Sequence, residues 1–449
     1  MSEAAAKKGF GEKPQPKEER RKFQAIKGTR DLLPPETALW HRVEQIAQEV
    51  FASYGFGEIR LPIFETTDLF ARSIGLETDV VSKEMYSFED RDETSISLRP
   101  EATASVSRAY LENGMQQLPQ PVKLYTIGPM FRRERPQKGR YRQFYQIDAE
   151  VLGGSDAPAI DAELIEMVMK FFERLGLEGV QLDINCIGDK KCRPIYVERL
   201  RAELRKVKDR LGPDSQRRIE TNPLRVLDSK LENEQKLIEG MPHIAEHLCE
   251  ECAENYRGVK KELELRGVKY RENWRLVRGL DYYSRATFEI TAKGLGSQNA
   301  VCGGGRYDGL MELLGGPPTR ATGFAIGEDR LILSLQEAGK APAPQGRDVY
   351  IAWMGEKAYA TAIRAAENLR AAGLRIELPP AEQKFGKALG QADKLRARYA
   401  LILGDNEVAS GQWTLKTLAT GEQIKLAESH LVDFLKGEKA KADPSHRSG

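Results

Sequence analysis

The stretch Phe131–Glu150, FRRERPQKGRYRQFYQIDAE, holds six Arg and Lys residues in its first twelve positions, then becomes a run ending in carboxylates. It is either a solvated, charged surface loop or two halves of a substrate site. Its first flank continues the strand-like VKLYTIGP, and Gly139 falls in the turn, so the whole reads as a long hairpin with basic residues at base and tip. The second flank alternates. Phe144, Gln146, Asp148 and Glu150 share one face, and Tyr145, Ile147, Ala149 and Val151 share the other. The apolar face belongs on a core. The polar face lines a cleft or meets solvent, and parity alone does not separate the two. Arginine suits phosphate because its planar fork offers paired, charge-assisted hydrogen bonds.

Working outward, IKGTRDLLPPE is rich in turn residues and precedes a helix from about Thr37, with Leu39, Val43, Ile46 and Val50 as its apolar stripe. GEIRLPIFE reads as a strand broken at Pro62, SISLRP as a strand, and EATASVSRAYLE as a helix. A helix from Asp161 to Leu175 and the strand VQLDINCIG follow the hairpin. Residues 190–267 turn highly charged and helical, a composition shift that marks an inserted module. Strand patterning resumes at NWRLVRGLDYYSRATFEI, runs through NAVCGGGRYDGL, and closes with the helix in GFAIGEDRLILSLQE. PAPQG ends a linker at 339–346. Beyond it, DVYIAWMG, LRIELPP and YALILG alternate with helical segments, which predicts a separate, mostly parallel α/β domain over 347–436. The expected organisation is thus a basic disordered tail at 1–22, a main domain at 23–338, the linker, the α/β domain, and a disordered tail at 437–449.

Composition narrows the chemistry. The 449 residues are too many for one ordinary core. No apolar run approaches the length of a membrane span, and the N-terminus lacks a secretory h-region, so a soluble, cytoplasmic protein is expected. Five cysteines, an odd and sparse number, fit a reducing compartment. Net charge is only +2, so any nucleic-acid contact must come from local patches. Only His41 lies in the first 242 residues and none lies between 248 and 429, which nearly excludes Ser-His-Asp and Cys-His catalysis in the main body. His243, His247, Cys249 and Cys252 offer zinc-ligand types in HIAEHLCEEC. Ligands so crowded rarely close a tetrahedron without a distant pair, so no protein-bound zinc is expected and an acidic helix with incidental thiols is the plainer reading.

Three Arg-centred stretches carry the functional signal: the hairpin, RLVRGLDYYSRATFEI, and CGGGRYDGL with GFAIGEDR. In the second, Tyr282 and Tyr283 follow Arg278, and such a pair can put one ring in a core and one hydroxyl in a cleft. In the third, the glycines permit close approach of a ligand, but neither a dinucleotide nor a P-loop pattern is present. Arg330 either aims at a phosphate or pairs with Glu328 or Asp329. Each stretch also reads as ordinary structure: a solvated hairpin, a packed aromatic pair, a surface ion pair.

Together these residues resemble the bacterial histidyl-tRNA synthetases, which are class II aminoacyl-tRNA synthetases, from about residue 23 to 436. GTRDLLPPE resembles the family's N-terminal signature, FRRERPQKGRYRQFYQ its motif 2, GFAIGEDRL its motif 3, and LVRGLDYYSR and GGGRYDGL its two histidine-specific signatures. The resemblance implies an α+β fold: a class II antiparallel sheet flanked by helices, an inserted helical domain, a C-terminal α/β anticodon-binding domain, and a homodimer. It implies ATP with Mg²⁺, L-histidine and tRNA(His) as partners. It places Arg132 on the histidine carboxylate and the α-phosphate, Arg278 on the α-phosphate and Arg330 on the γ-phosphate. Glu134 and Phe144 would hold adenine. Glu101, Ala102 and Thr103 of LRPEAT would sit at the substrate α-amino group, with Gln146, Glu150, Tyr282 and Tyr283 on the histidine side and Glu150 and Tyr283 on the two imidazole nitrogens. Arg135 would approach the tRNA acceptor end. Relatives often carry more cysteines where this chain reads IGDKKC and GPDSQRR. The alternative is a non-catalytic, synthetase-like regulatory subunit of histidine biosynthesis. The C-terminal α/β domain and the intact RGLDYY speak against it.

Overall fold

The computed structural model describes residues 23–75, 78–293, 299–341 and 346–442. The tail expected at 1–22, residues 443–449 of the tail expected at 437–449, and the linker residues 342–345 lie outside the described residues. The chain divides into two compact units, one ending at residue 341 and the other beginning at 342.

The first unit is built on an eight-stranded sheet. Its strands in chain order are β1 (Gly57–Glu58), β5 (Val122–Phe131), β6 (Gln143–Leu152), β7 (Gln181–Cys186), β8 (Arg271–Glu272), β9 (Ser284–Thr291), β10 (Ala300–Arg306) and β11 (Ala321–Gly327). A separate three-stranded sheet holds β2 (Phe64–Thr66), β3 (Tyr86–Glu89) and β4 (Ser95–Leu98). The large sheet runs β1-β5-β6-β11-β10-β9-β7-β8, antiparallel throughout except where the short edge strands β1 and β8 pair in parallel. Helices α1 (Thr37–Ser53), α2 (Thr67–Ile74), α3 (Thr103–Glu112) and α4 (Pro158–Leu175) precede β7. Then α5 (Arg193–Lys206), α6 (Pro213–Thr221), α7 (Glu232–Ile238) and α8 (Glu250–Leu265) form the charged module between β7 and β8. Helices α9 (Leu310–Leu313) and α10 (Glu328–Glu337) complete the unit.

The hairpin's alternation is a physical division of the sheet. Ile147, Ala149 and Val151 join Phe288, Ile290, Phe324 and Ile326 in a core closed by α1, α4, α8 and α10. Phe51 of α1 sits at its centre, in ring contact with Phe56, Tyr125, Phe171 and Phe324. Burying such aromatic area is the main stabilisation available to the sheet. Of the predicted α1 stripe, Leu39, Val43 and Val50 are buried, while Ile46 is half-buried and Ala47 takes the buried place beside it.

The second unit contains β12 (Val349–Met354), β13 (Ile376–Glu377), β14 (Tyr399–Gly404), β15 (Gln412–Thr417) and β16 (Gln423–Ala427), ordered β13-β12-β14-β15-β16. Its helices are α11 (Glu356–Ala371), α12 (Phe385–Lys394), α13 (Asp405–Ser410) and α14 (Glu428–Ala442). The first three sheet neighbours are parallel, as expected, but β15 and β16 add an antiparallel hairpin. Sequence reading passes over it, although Trp413 and Leu415 alternate with polar residues on β15 and Ile424 and Leu426 do so on β16. Two further expectations change. GEIRLPIFE pairs only at Gly57–Glu58 and Phe64–Thr66, because Pro62 removes a ladder donor between them. The last helix continues to Ala442, past the boundary expected at 437, since KGEKAKA is made mostly of good helix formers.

Candidate active site

Ten residues singled out from sequence converge on one cleft of about 500 Å³: Glu101, Thr103, Arg132, Glu134, Phe144, Gln146, Arg278, Tyr282, Tyr283 and Arg330. Its floor is the sheet face opposite the apolar core. The cross-strand rows show why that face is open. One row pairs Thr126, Asp148, Ala325, Gly303 and Glu289, and the next pairs Leu124, Glu150, Gly323, Gly305 and Thr287. Small residues stand beside long polar ones. A Cβ at Gly303 would lie 2.2 Å from both Arg278 terminal nitrogens, and one at Gly323 would lie 1.5 Å from Glu150 Oε2. The glycines therefore leave room for protein side chains as much as for a ligand.

Three of the guanidinium groups that edge the cleft were singled out from sequence. Arg132 Nε donates to Pro100 O at 2.9 Å, and its guanidinium carbon lies 5.2 Å from the Phe144 ring centroid. Arg278 lies 5.5 Å from the Tyr283 ring centroid and pairs with Glu289 at 3.3 Å, while its buried Nε has no hydrogen-bond partner among the described residues. Arg330 donates to Gly139 O at 3.3 Å and Ala300 O at 3.0 Å. Burial, with Arg140 and Arg132 close by, lowers the affinity of Arg330 for its proton, because positive charge is crowded here. The ion pairs weighed for Arg330 go elsewhere. Asp329 pairs with Arg30 at 3.1 Å and accepts the Tyr145 N–H at 2.9 Å, while Glu328 is buried and its carboxyl raised by desolvation beside Glu44.

Beneath the guanidinium groups lie three buried acids. Glu101 accepts the N–H groups of Thr103 and Ala104 at 2.8 and 2.9 Å, capping α3, and accepts the Tyr282 hydroxyl at 3.3 Å. Glu150 accepts the Thr103 hydroxyl at 2.6 Å and the Tyr307 hydroxyl. It lies behind the cleft wall, and desolvation pushes its carboxyl up to about 8. Asp148 is pushed well above the ordinary range by burial and by Glu150 and Glu101, and neither oxygen has a hydrogen-bond partner among the described residues. Gln146 Oε1 is likewise buried without one. Buried polar atoms without partners are uncommon in folded proteins and mark this floor as unusual.

Ala102 is fully buried at the start of α3 and does not line the cleft. Arg135 is exposed on the hairpin turn, away from the cleft wall. Sequence reading missed several participants. Arg140 lines the cleft and pairs with Glu134 at 3.1 Å. Arg218 and Arg225 reach it from the inserted module. Arg99, 3% exposed, donates to Pro129 O and Leu61 O and so fastens LRPEAT to β5. Arg306 of GGGRYDGL is structural: it is buried on Asp161 at 2.7 Å. Apart from Arg140, whose partner Glu134 is on the same hairpin, the partners named for these residues are distant in sequence, and no local period points to them.

The chain is similar to known proteins over most of its length. A family model described as histidyl-tRNA synthetase matches residues 28–188 and 192–331, and one described as anticodon binding domain matches 348–438. A histidine–tRNA ligase of Solibacter usitatus is 53% identical over 411 residues, covering 91% of this chain and 98% of the relative. One of Koribacter versatilis is 50% identical over 429 residues, covering 93% and 97%. The crystal structure of the apo histidyl-tRNA synthetase of Staphylococcus aureus superposes with a TM-score of 0.77 at 37% identity, covering 92% of this chain and all of that one.

Proposed function

This chain belongs to the histidyl-tRNA synthetase family, and on that premise we propose that it attaches L-histidine to tRNA(His) in two steps, each with a stated set of side chains. In the first, a histidine carboxylate oxygen attacks the α-phosphorus of ATP. The new P–O bond forms as the bond to the β-phosphate bridging oxygen breaks, giving histidyl-adenylate and pyrophosphate. In the second, a terminal ribose hydroxyl of the tRNA attacks the adenylate carbonyl and AMP leaves.

The observation that carries this reading is the set of Arg132, Arg278 and Arg330 around one cleft whose polar floor has unpartnered atoms. No side-chain nucleophile is required. Arg132 and Arg278 hold the carboxylate and the α-phosphate in line and stabilise the charge that grows on the phosphorus oxygens. Arg330 takes the γ-phosphate. Phe144 and Glu134 hold adenine, and Glu101 and Thr103 hold the substrate ammonium. Tyr282 positions Glu101 through its hydroxyl. Tyr283 takes one imidazole nitrogen, and Glu150, which Thr103 separates from the cleft, takes the other once the ring reaches past Thr103. Gln146 presents its unpartnered oxygen on the same side. A site that hydrogen-bonds both nitrogens rejects apolar isosteres strongly. Mg²⁺ travels with ATP, bound mainly by phosphate oxygens. Arg135, exposed on the turn, is placed to meet the acceptor end. We assign the reaction to the cytoplasm, where the five free thiols persist, and to a homodimer; among the described residues no helix is long and apolar enough to cross a membrane.

Histidine-dependent ATP–pyrophosphate exchange, with the other amino acids as controls, tests the reading. Exchange with histidine alone supports it, and no exchange from folded protein defeats it in favour of a regulatory subunit. A chain ending at Pro344 should keep exchange largely intact while charging of tRNA falls strongly. A folded fragment that loses both would refute the proposed division of labour.

A further inference from the structure

The expectation of no zinc rested on the lack of a distant ligand pair, and the fold supplies one. His243 and His247, the candidates nearest in sequence, are engaged elsewhere: His243 stacks on Trp274 at 4.0 Å and His247 faces Tyr196. In their place, Asp189 and Cys192 come from the start of the inserted module to meet Cys249 and Cys252 at the start of its last helix, and one ligand atom from each of the four lies within 4.8 Å of the others.

Three of the spacings among these atoms match those of a tetrahedral metal site. With metal–sulfur bonds of about 2.3 Å and a metal–oxygen bond of about 2.1 Å, tetrahedral angles put sulfurs about 3.8 Å apart and sulfur about 3.6 Å from oxygen. Cys192 Sγ and Cys252 Sγ are 3.9 Å apart, Cys192 Sγ is 3.5 Å from Asp189 Oδ1, and Cys249 Sγ is 3.9 Å from the same oxygen. The set is not an exposed acidic helix with incidental thiols, since Cys192 and Cys252 are 3% and 0% exposed.

The surrounding backbone is shaped to hold it. Asp189-Lys190-Lys191-Cys192 and Cys249-Glu250-Glu251-Cys252 form two turns of the same spacing, joined across their tips by Lys191 and Glu251 at 2.9 Å. Cys192 and Cys249 stand at the N-cap positions of α5 and α8. The Lys191 and Cys192 N–H groups bond Asp189 Oδ1 and fix the carboxylate. Gly188 has φ +69°, and a Cβ there would sit 2.8 Å from Cys192 Sγ.

We propose that Asp189, Cys192, Cys249 and Cys252 form a structural zinc site that clips the two ends of the inserted helical module together. Three soft thiolates and one carboxylate in a closed tetrahedron suit Zn²⁺ and leave no position open for substrate. The clip joins segments 60 residues apart, at the root of the module that carries Arg218 and Arg225 to the cleft.

The full-length chain, purified without chelator, should contain about one zinc per chain, and Cys249→Ser should hold less than about a fifth of that. Co²⁺ added to the metal-stripped chain should give thiolate-to-metal absorption and the visible bands of a tetrahedral ion. Asp189→Asn, which keeps size and should fold, should lose zinc to a chelator at least about tenfold faster, and Asp189→Cys more slowly than the parent. Stripping should lower the melting temperature by roughly 5 °C or more. A zinc-free native chain with no cobalt spectrum overturns the proposal. So does a Cys192–Cys252 disulfide in the native protein, or zinc content unchanged in Cys249→Ser. If Cys249→Ser does not fold, the parent's cobalt spectrum and Asp189→Asn decide.

Discussion

The two faces of the eight-stranded sheet are made from alternate residues of the same strands, and they do opposite things. On β6, Ile147, Ala149 and Val151 close an apolar core, while Gln146, Asp148 and Glu150, one position away each time, form a buried polar floor. The first face gains stability from every methylene it removes from water. The second holds carboxyls raised by desolvation and atoms without partners, and must be tolerated by the first. The proposed chemistry sits where burial costs most, and the aromatic cluster around Phe51 offsets that cost from the other side of the same strands.

This contrast can be broken in four ways. The largest effect belongs to the core face. Phe51→Ala should cost about 3–5 kcal/mol in denaturant unfolding, with pyrophosphate exchange per folded molecule near normal. Next is Arg278→Ala, which should slow adenylate formation by at least about a hundredfold in single-turnover measurements, with Arg278→Lys recovering only part because an ammonium lacks the fork. Smaller is Gly303→Ala. Its methyl must displace the Arg278 guanidinium, so adenylation should fall about tenfold, and the loss should vanish when Arg278 is already Ala, as a double-mutant cycle would record.

The smallest is Glu150→Gln, expected to raise the histidine requirement several-fold with little change in ATP binding. It also carries a pH signature. The folded carboxyl titrates near 8 and the unfolded one near its ordinary value of about 4.3, so the folded protein favours the proton. The stability this gives the parent is full below the unfolded value and is lost as pH rises through about 8. Without ligand, Glu150→Gln should therefore gain in melting temperature relative to the parent between those limits. A difference that stays flat with pH would remove Glu150 from the buried floor.

Much of this was legible in the chain. The parity of residues 144–151 announced the two faces, the apolar stripe announced α1, and the Arg-centred motifs announced the cleft. What stayed hidden depends on contacts that no local period encodes. Arg30 finds Asp329 across 299 residues, and Cys192 finds Cys252 across 60. GGGRYDGL looked like one functional unit, yet its side chains divide: Gly303 clears space for Arg278, Arg306 anchors Asp161, and Tyr307 holds Glu150. Sequence shows which residue types are gathered, and only packing shows which of them face the substrate.

The most direct test of the two-faced sheet measures melting temperature and histidine-dependent adenylate formation on the same preparations of the parent, Phe51→Ala and Arg278→Ala. The expected result is a crossing: Phe51→Ala loses stability and keeps its rate while folded, and Arg278→Ala keeps stability and loses its rate. If Arg278→Ala instead melts early and its folded fraction still forms adenylate at nearly the normal rate, Arg278 is an ion-pair partner of Glu289 and the cleft face is not where the chemistry is done.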